Sequence, residues 1–397
     1  MRSGGWPGGR TLAVAKGSSS AMTSPAVNVG CSTSSSPGIW MVTAMWISSE
    51  RGGTAVPMTA CSGWNRCARL TRPSVSSVRD LLRAPSSRHP RQTDRKPDLN
   101  TDKNSLVVRF ADALSSPTSF PEESIQKAKL CLLDLIGCCF STQEFPWVRI
   151  AVGTVMASSY ETTNAAQVIG KDFSVSVQDA AFVNAVSGHS LVRDDMHVGS
   201  VSHLGTVVIP TALALASIHP VSGRRLLEAI ICGYEAGGKL GKMLMDVETA
   251  KKIRPTGLIG AFASAATASQ LVIPSRTADA LGFASNYITG LNEWAAWGSD
   301  DMYFHPGIAA RNGLMAMQLA GAGAESAEGA LEGDAGLFAA LGKVPPHEPD
   351  LPFSGEPEIM DVFFKQVPAC NYAQTAAQAA TKAATEHRID AGDIEGV

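Results

Sequence analysis

GHSLVRDDMHVGSVSHLG, residues 188–205, is the densest polar stretch of a chain whose neighbouring sequence is built from alanine and small apolar residues. It holds three histidines (His189, His197, His203), two adjacent carboxylates (Asp194, Asp195) and Arg193. The residues before it, Asp179 to Ser187, read as a helix. The run after it, Leu204 to Ile218, is apolar but shorter than the roughly 18 residues a membrane helix needs, so it reads as a buried helix. A polar run between two such helices is expected to be a loop on a rigid scaffold, the usual carrier of binding and catalytic groups.

His203 falls near the start of the second helix, where unpaired backbone N–H groups favour anions. A carboxylate-bearing substrate is therefore expected. Three readings of the loop stand side by side. Histidine and aspartate are metal ligands, but their spacing here is no recognisable metal motif. An acid/base site needs a histidine or carboxylate within reach of a substrate proton. The plainest reading makes the aspartates helix caps and the histidines core residues.

Two further clusters lie at helix entrances. Ser299 to Gly307 (SDDMYFHPG) contains His305 and runs into an alanine-rich helix that carries Arg311 and Asn312. Functionally, His305 and Arg311 would line a second anion-friendly helix start; structurally, the aspartates cap and Pro306-Gly307 terminates. Arg254, in KKIRPTGLIGAF (251–262), precedes a third entrance. A guanidinium grips a carboxylate by paired hydrogen bonds, although a surface arginine needs no such role.

Around these clusters the pattern is helical. Pro121, Glu122 and Glu123 open a helix whose apolar residues recur at Ile125, Ala128, Leu132, Leu135, Ile136 and Cys139. Leu226, Leu227, Ile230, Ile231 and Tyr234 form another apolar face, entered through Ser222 and Gly223. Ile259 to Leu271 and Ala309 to Ala322 are rich in small residues, which permit close helix packing. Ala166 to Gly170 is one short strand candidate. A proline-rich linker (Pro345 to Pro357) precedes a strand or turn within Ile359 to Pro368, and Tyr372 to Glu386 reads as an alanine-rich helix.

Hydrophobic residues make up 45% of the 397 and charged residues 17%, which suits a globular protein. The net charge of −3 conceals a basic head, +9 over residues 1–100, on a body of −12. Residues 1–102 are rich in Ser, Gly, Pro and Arg, show no sustained period and hold four of the seven tryptophans. They read as an unstructured or wrongly framed extension, with a transit peptide as the weaker alternative and no nucleic-acid arm expected. The eight cysteines contain no CxxC pair, which argues against structural zinc, a disulfide framework or an iron–sulfur cluster. Cys131, Cys138 and Cys139 read as core thiols, and reduced cysteines suit an intracellular compartment, cytoplasmic or mitochondrial.

Four segments in order carry a resemblance to a known family: 188–216, 254–269, 304–314 and 364–380 (FKQVPACNYAQTAAQAA). Over roughly residues 105–397 the chain resembles the MmgE/PrpD family of metal-free lyases, which includes 2-methylcitrate dehydratase and cis-aconitate decarboxylase. The resemblance implies a mainly α fold: a large helical domain (103–345) followed by the start of a smaller α+β lid (346–397), truncated here. It implies a small polycarboxylate substrate, homodimers, no cofactor or metal, and no membrane partner. His203 falls on the family's loop histidine, and Asp194, Asp195 and His197 on its Asp-Asp…His run. These four are the expected catalytic residues, with Arg254, His305, Arg311 and Gln374 the expected substrate-binding ones. The family's usual loop acid falls on Val192, its threonine on Met196, a basic residue on Met302, and a decarboxylase-branch histidine on Arg254. The triplet Gln374-Thr375-Ala376 is similar to the dehydratase branch. Together these imply dehydration of a 2-methylcitrate-like acid, with a decarboxylase or epimerase of a related acid, or an inactive truncated member, as the alternatives.

Overall fold

The computed structural model describes residues 105–117, 119–158 and 164–394. The expectation for residues 1–102 lies outside them. The fold is mainly α, as expected. Its first helices are α1 (Leu106–Ser115), α2 (Glu122–Ser141) and α3 (Pro146–Ser158). Pro121 takes the N-cap of α2, with Glu122 and Glu123 in the first turn facing the positive end of the helix dipole. A short antiparallel ladder follows, β1 (Ala165–Gln167) on β2 (Ser174–Ser176), beginning one residue before the expected strand.

The scaffold of the site is built from α4 (Val177–His189), α5 (Gly205–Ala216), α6 (Gly223–Leu244), α7 (Val247–Lys252), α8 (Pro255–Val272), α9 (Thr277–Ala284), α10 (Trp294–Trp297) and α11 (Asp301–Gly321). Ser176 and Ser222 cap α4 and α6, each accepting the backbone N–H three residues on. Every residue of α8 from Pro255 to Gln270 is buried, and the helix packs against α5, α6, α9 and α11. A helix this rich in Ala, Gly and Ser presents no polar face to water and lets its neighbours approach closely. Its buried hydroxyls are satisfied: Ser264 donates to the Ala310 carbonyl at 2.9 Å and bonds Thr211 at 2.8 Å. Cys131, Cys138, Cys139 and Cys232 are buried free thiols.

Pro306 and Gly307 do not terminate a helix. Both lie inside α11, with Pro306 in its second turn. A proline there has no N–H to offer the carbonyl four residues back, that of Met302. Arg254 supplies the missing donor, through Nη1 to the Met302 oxygen at 2.8 Å.

After α12 (Leu337–Ala340) the chain runs through the proline-rich segment into a 3-10 turn, Glu358–Asp361, and β4 (Val362–Phe363). Strand β4 pairs antiparallel with β3 (Met196–His197) in the middle of the polar loop. Both readings of Ile359 to Pro368, strand and turn, are thus realised. Helix α13 (Gln374–His387) follows, matching the expected alanine-rich helix. Among the described residues no helix is long and apolar enough to cross a membrane.

Candidate active site

The polar loop, residues 190–204, leaves α4 and enters α5; its two aspartates and two histidines are buried, while Arg193 is exposed. Asp194 is at the centre. Its Oδ2 lies 2.8 Å from His189 Nδ1 and 3.3 Å from His203 Nδ1. Its Oδ1 is buried without a partner. The neighbours of each imidazole fix its tautomer. His203 Nδ1 lies 2.8 Å from the Asp195 carbonyl, which can only accept, so Nδ1 carries the proton and Nε2 is left for proton exchange. His189 Nε2 faces Arg254 Nη2, which can only donate, so His189 Nδ1 is the proton bearer and donates to Asp194.

Burial drives His189 down to about 3, the attraction of Asp194 opposing and the Arg254 charge assisting, so its ring is neutral. Burial disfavours ionisation of Asp194, but His189 and His203 outweigh it and hold the carboxyl well below its usual range. His203 is anchored from a second side: its backbone N–H donates to Thr256 Oγ1 at 2.9 Å, in the first turn of α8.

Arg254 stands at the N-cap of α8, buried, with Pro255 next in the helix. Its guanidinium reaches His189 and the Met302 carbonyl and lies 5.8 Å from the Trp294 ring. His305 is buried in the second turn of α11. Its Nδ1 has no partner, and burial followed by the Arg254 charge lowers its pKa to about 4.

The loop's second carboxylate is bonded to α6 and to the start of α5. Asp195 accepts from the Tyr234 hydroxyl and, at 3.1 Å, from the Gly205 N–H at the start of α5. Burial raises its pKa while Tyr234 counters. Gly205 is required there, since a Cβ would stand 2.5 Å from the Tyr234 hydroxyl and 2.6 Å from Asp195 Oδ2.

Three expected site residues are placed elsewhere. His197 is fully buried, but its Nδ1 accepts from the Ser200 N–H and its Nε2 faces Glu358 Oε2 at 2.9 Å. Its polar partners lie outside the His189–Asp194–His203 group. Arg311 points from α11 to Asp179 at 3.1 Å with its side chain half exposed. Gln374 spends its amide on its own loop, donating to the Val367 and Ala369 carbonyls.

Sequence reasoning also missed Lys365. Its ammonium is buried, donates to the Val192 carbonyl at 2.7 Å, and has its pKa lowered first by burial, with the nearby Asp194 charge opposing. No local pattern marks it; its partner is 173 residues away. Val192, where the family's loop acid falls, adopts a left-handed backbone, φ 53°. That conformation is a true outlier for a β-branched residue.

His189, Asp194 and His203 lie close enough for one ligand atom of each to fall within 4.8 Å of the others. The set does not fit a metal. In both rings the nitrogen beside Asp194 is the protonated one, and the remaining lone pair of His189 is taken by Arg254. A guanidinium at that position also repels a cation.

A buried ionised aspartate, a histidine with one free ring nitrogen and two buried cations are the kinds of group that proton transfer on an anionic substrate requires. The profile of the MmgE/PrpD N-terminal domain matches residues 109–350, and the chain belongs to the MmgE/PrpD family. It is 29% identical over 257 residues to the cis-aconitate decarboxylase of Aspergillus terreus, covering 62% of this chain and 52% of that protein. With the Homo sapiens cis-aconitate decarboxylase it shares 30% over 278 residues, covering 67% and 56%. With the cis-aconitate decarboxylase-like protein oryM of Aspergillus oryzae it shares 29% over 214 residues, covering 51% and 44%. The chain thus spans about half the length of the curated relatives it matches.

Proposed function

We propose that this chain is a lyase acting on a small polycarboxylate, and that its reaction is decarboxylation of a tricarboxylate like cis-aconitate. One observation carries the reading: His203 has its Nδ1 proton committed to a backbone carbonyl, which makes Nε2 its working atom. Asp194, 3.3 Å behind it, stabilises the doubly protonated ring. Arg254 bonds His189, the Asp194 charge acts on Lys365, and the Arg254 charge acts on His305, whose Nδ1 is buried without a partner.

In an allylic tricarboxylate the C–C bond to the departing carboxylate breaks and carbon dioxide leaves. The freed electron pair becomes a new double bond. The old one shifts its electrons to the far carbon, where they spread into the attached carboxylate. His203 Nε2–H delivers a proton to that carbon. Arg254 and Lys365 stabilise the enolate-like charge as it develops. The names of the relatives favour this reaction over the expected dehydration. The expectation of dehydration leaned on the Gln374 triplet, and that side chain is bonded to its own loop. We further propose that residues 103–345 form the helical domain, that residues 346–397 begin the lid, and that the protein works as a homodimer, as the family resemblance implies.

The test is proton NMR of the purified protein with cis-aconitate, citrate and 2-methylcitrate, beside His203→Ala. Exomethylene proton signals from cis-aconitate, reduced about 10²- to 10⁴-fold in the variant, are expected. A trisubstituted alkene formed from 2-methylcitrate instead would restore the dehydratase reading. Turnover that is unaffected in His203→Ala would refute the role given to that residue.

A further inference from the structure

A second buried charge cluster lies beside the first and has no part in the proposed proton transfer. Glu358 is buried, and three cationic or N–H-bearing side chains converge on it: His197 Nε2 at 2.9 Å, Lys239 Nζ at 3.0 Å and Lys242 Nζ at 2.8 Å. His197 Nε2 faces Glu358 Oε2 within ion-pair distance but without hydrogen-bond geometry, while its Nδ1 accepts from the Ser200 N–H at 3.1 Å. Burial opposes ionisation of Glu358, but these three partners hold its pKa at about 2.

The helix beneath is shaped for this carboxylate. Lys239 and Lys242 share one face of α6 with Glu235, which accepts the backbone N–H groups of Phe353 and Glu358 at 2.8 and 2.7 Å. Gly238 lies between them, and a Cβ there would stand 2.7 Å from Glu358 Oε2. Asp361 extends the clasp, accepting the Gly199 N–H through its side chain and the Val198 N–H through its carbonyl, both at 3.1 Å.

From this clasp the chain runs through β4, paired to Met196 and His197, and two residues later presents Lys365 to the Val192 carbonyl. The polar loop is therefore held by the C-terminal segment at two points, Val192 and residues 196–199. Glu358 is one of the groups that tie α6 to this segment, beside the bond from Lys239 Nζ to the Ser354 carbonyl at 2.7 Å.

We infer that Glu358 is a positioning residue: clasped by His197, Lys239 and Lys242, it holds the segment carrying Lys365 against the polar loop and so sets where the Lys365 ammonium meets the substrate. This rests on the lyase reading for its effect on turnover, but not for its effect on Lys365 itself. His197, expected to carry protons, becomes a member of the clasp.

The experiment has two arms, both on the full chain. In the first, amine-reactive labelling of Lys365 is followed by peptide mass spectrometry, with the exposed Lys251 as internal reference. Glu358→Gln is expected to raise Lys365 labelling about tenfold, the loss of one charge-assisted hydrogen bond, with an unchanged circular dichroism spectrum. Unchanged labelling overturns the inference. In the second, KM and kcat for cis-aconitate are measured in Glu358→Gln, Lys365→Met and the double variant. A rise in KM of about tenfold that vanishes in the Lys365→Met background supports it. Additive effects overturn it, because Glu358 would then act through general stability. A wild type that turns over no acid defeats the lyase reading and leaves the labelling arm to decide the clasp alone. Should Glu358→Gln fail to fold, Lys242→Met removes one partner at a half-exposed position, and about threefold faster labelling is expected; no change in that variant also overturns the inference.

Discussion

Pro306 and Arg254 complete one another: the proline leaves the Met302 carbonyl without its helical donor, and Nη1 of the arginine occupies that oxygen at 2.8 Å. The second hand of the guanidinium is thereby aimed at His189. A residue that costs a helix interior about 3 kcal/mol is here part of how the site's cation is oriented.

Pro306→Ala is the direct test. The restored N–H competes for the Met302 oxygen and loosens Arg254. The variant is expected to melt at a higher temperature while KM for cis-aconitate rises several-fold. Calorimetry and initial-rate kinetics on the same sample check the two opposite signs, and a stabilised variant with unchanged KM would refute the coupling.

Acid should destabilise the fold well above the pH at which ordinary carboxylates titrate. His189 is held at about 3 and His305 at about 4, against 6.5 in an exposed histidine. Between those values the unfolded chain binds protons that the folded chain refuses, so stability is full above about pH 6.5 and falls as pH drops towards 3. Neutral His189 alone predicts a loss of about 2 kcal/mol between pH 6.5 and 5. Thermal melts across that range check it, and His189→Gln should flatten part of the slope. A melting temperature constant from pH 7 to 4.5 would contradict the burial argument.

Tyr234→Phe separates the two loop carboxylates. Removing the hydroxyl leaves the buried Asp195 with the Gly205 N–H as its remaining side-chain donor. A stability loss of about 1–3 kcal/mol is expected, read by denaturant titration, with kcat far less affected than by His203→Ala. A kcat loss matching that of His203→Ala would move Asp195 into the chemistry.

Val192→Asn tests stored backbone strain. Asparagine tolerates the left-handed conformation that valine resists, and the carbonyl bonded to Lys365 is kept. A gain of about 1 kcal/mol is expected, again by denaturant titration, with KM unchanged. Loss of stability would show that the valine side chain packs better than its backbone suggests.

What the sequence revealed follows the range of the interactions involved. The helices are written in local periodicity and caps, so α2, α4, α6 and α8 could be read from Ile125 and its repeats, Asp179 to Ser187, Ser222 and Ile259 to Leu271 without tertiary information. His203 was legible because a polar run between apolar helices is conspicuous. The division of labour inside that run was not. Asp194 and Asp195 are neighbours in sequence, and only the positions of His189 and Tyr234 decide which faces the histidines and which anchors the helix. Tyr234 reads as one more apolar residue on its face, Pro306 reads as a stop signal, and Arg311 at its helix entrance looks as well placed as Arg254. Lys365 could be found only by folding the chain, since its partner is set by a two-residue strand pairing that carries no sequence signature of its own.

That long-range pairing also sets an order of assembly. The loop with His203 leaves the ribosome 173 residues before its Val192 carbonyl can meet Lys365. At ordinary synthesis rates of about 5–20 residues per second, the interval is roughly 10 to 35 s. During that time the buried carboxylates and histidines of the loop have none of their C-terminal cover. The nascent chain must therefore carry this loop open to water and to chaperones until the segment bearing Lys365 arrives to cover it.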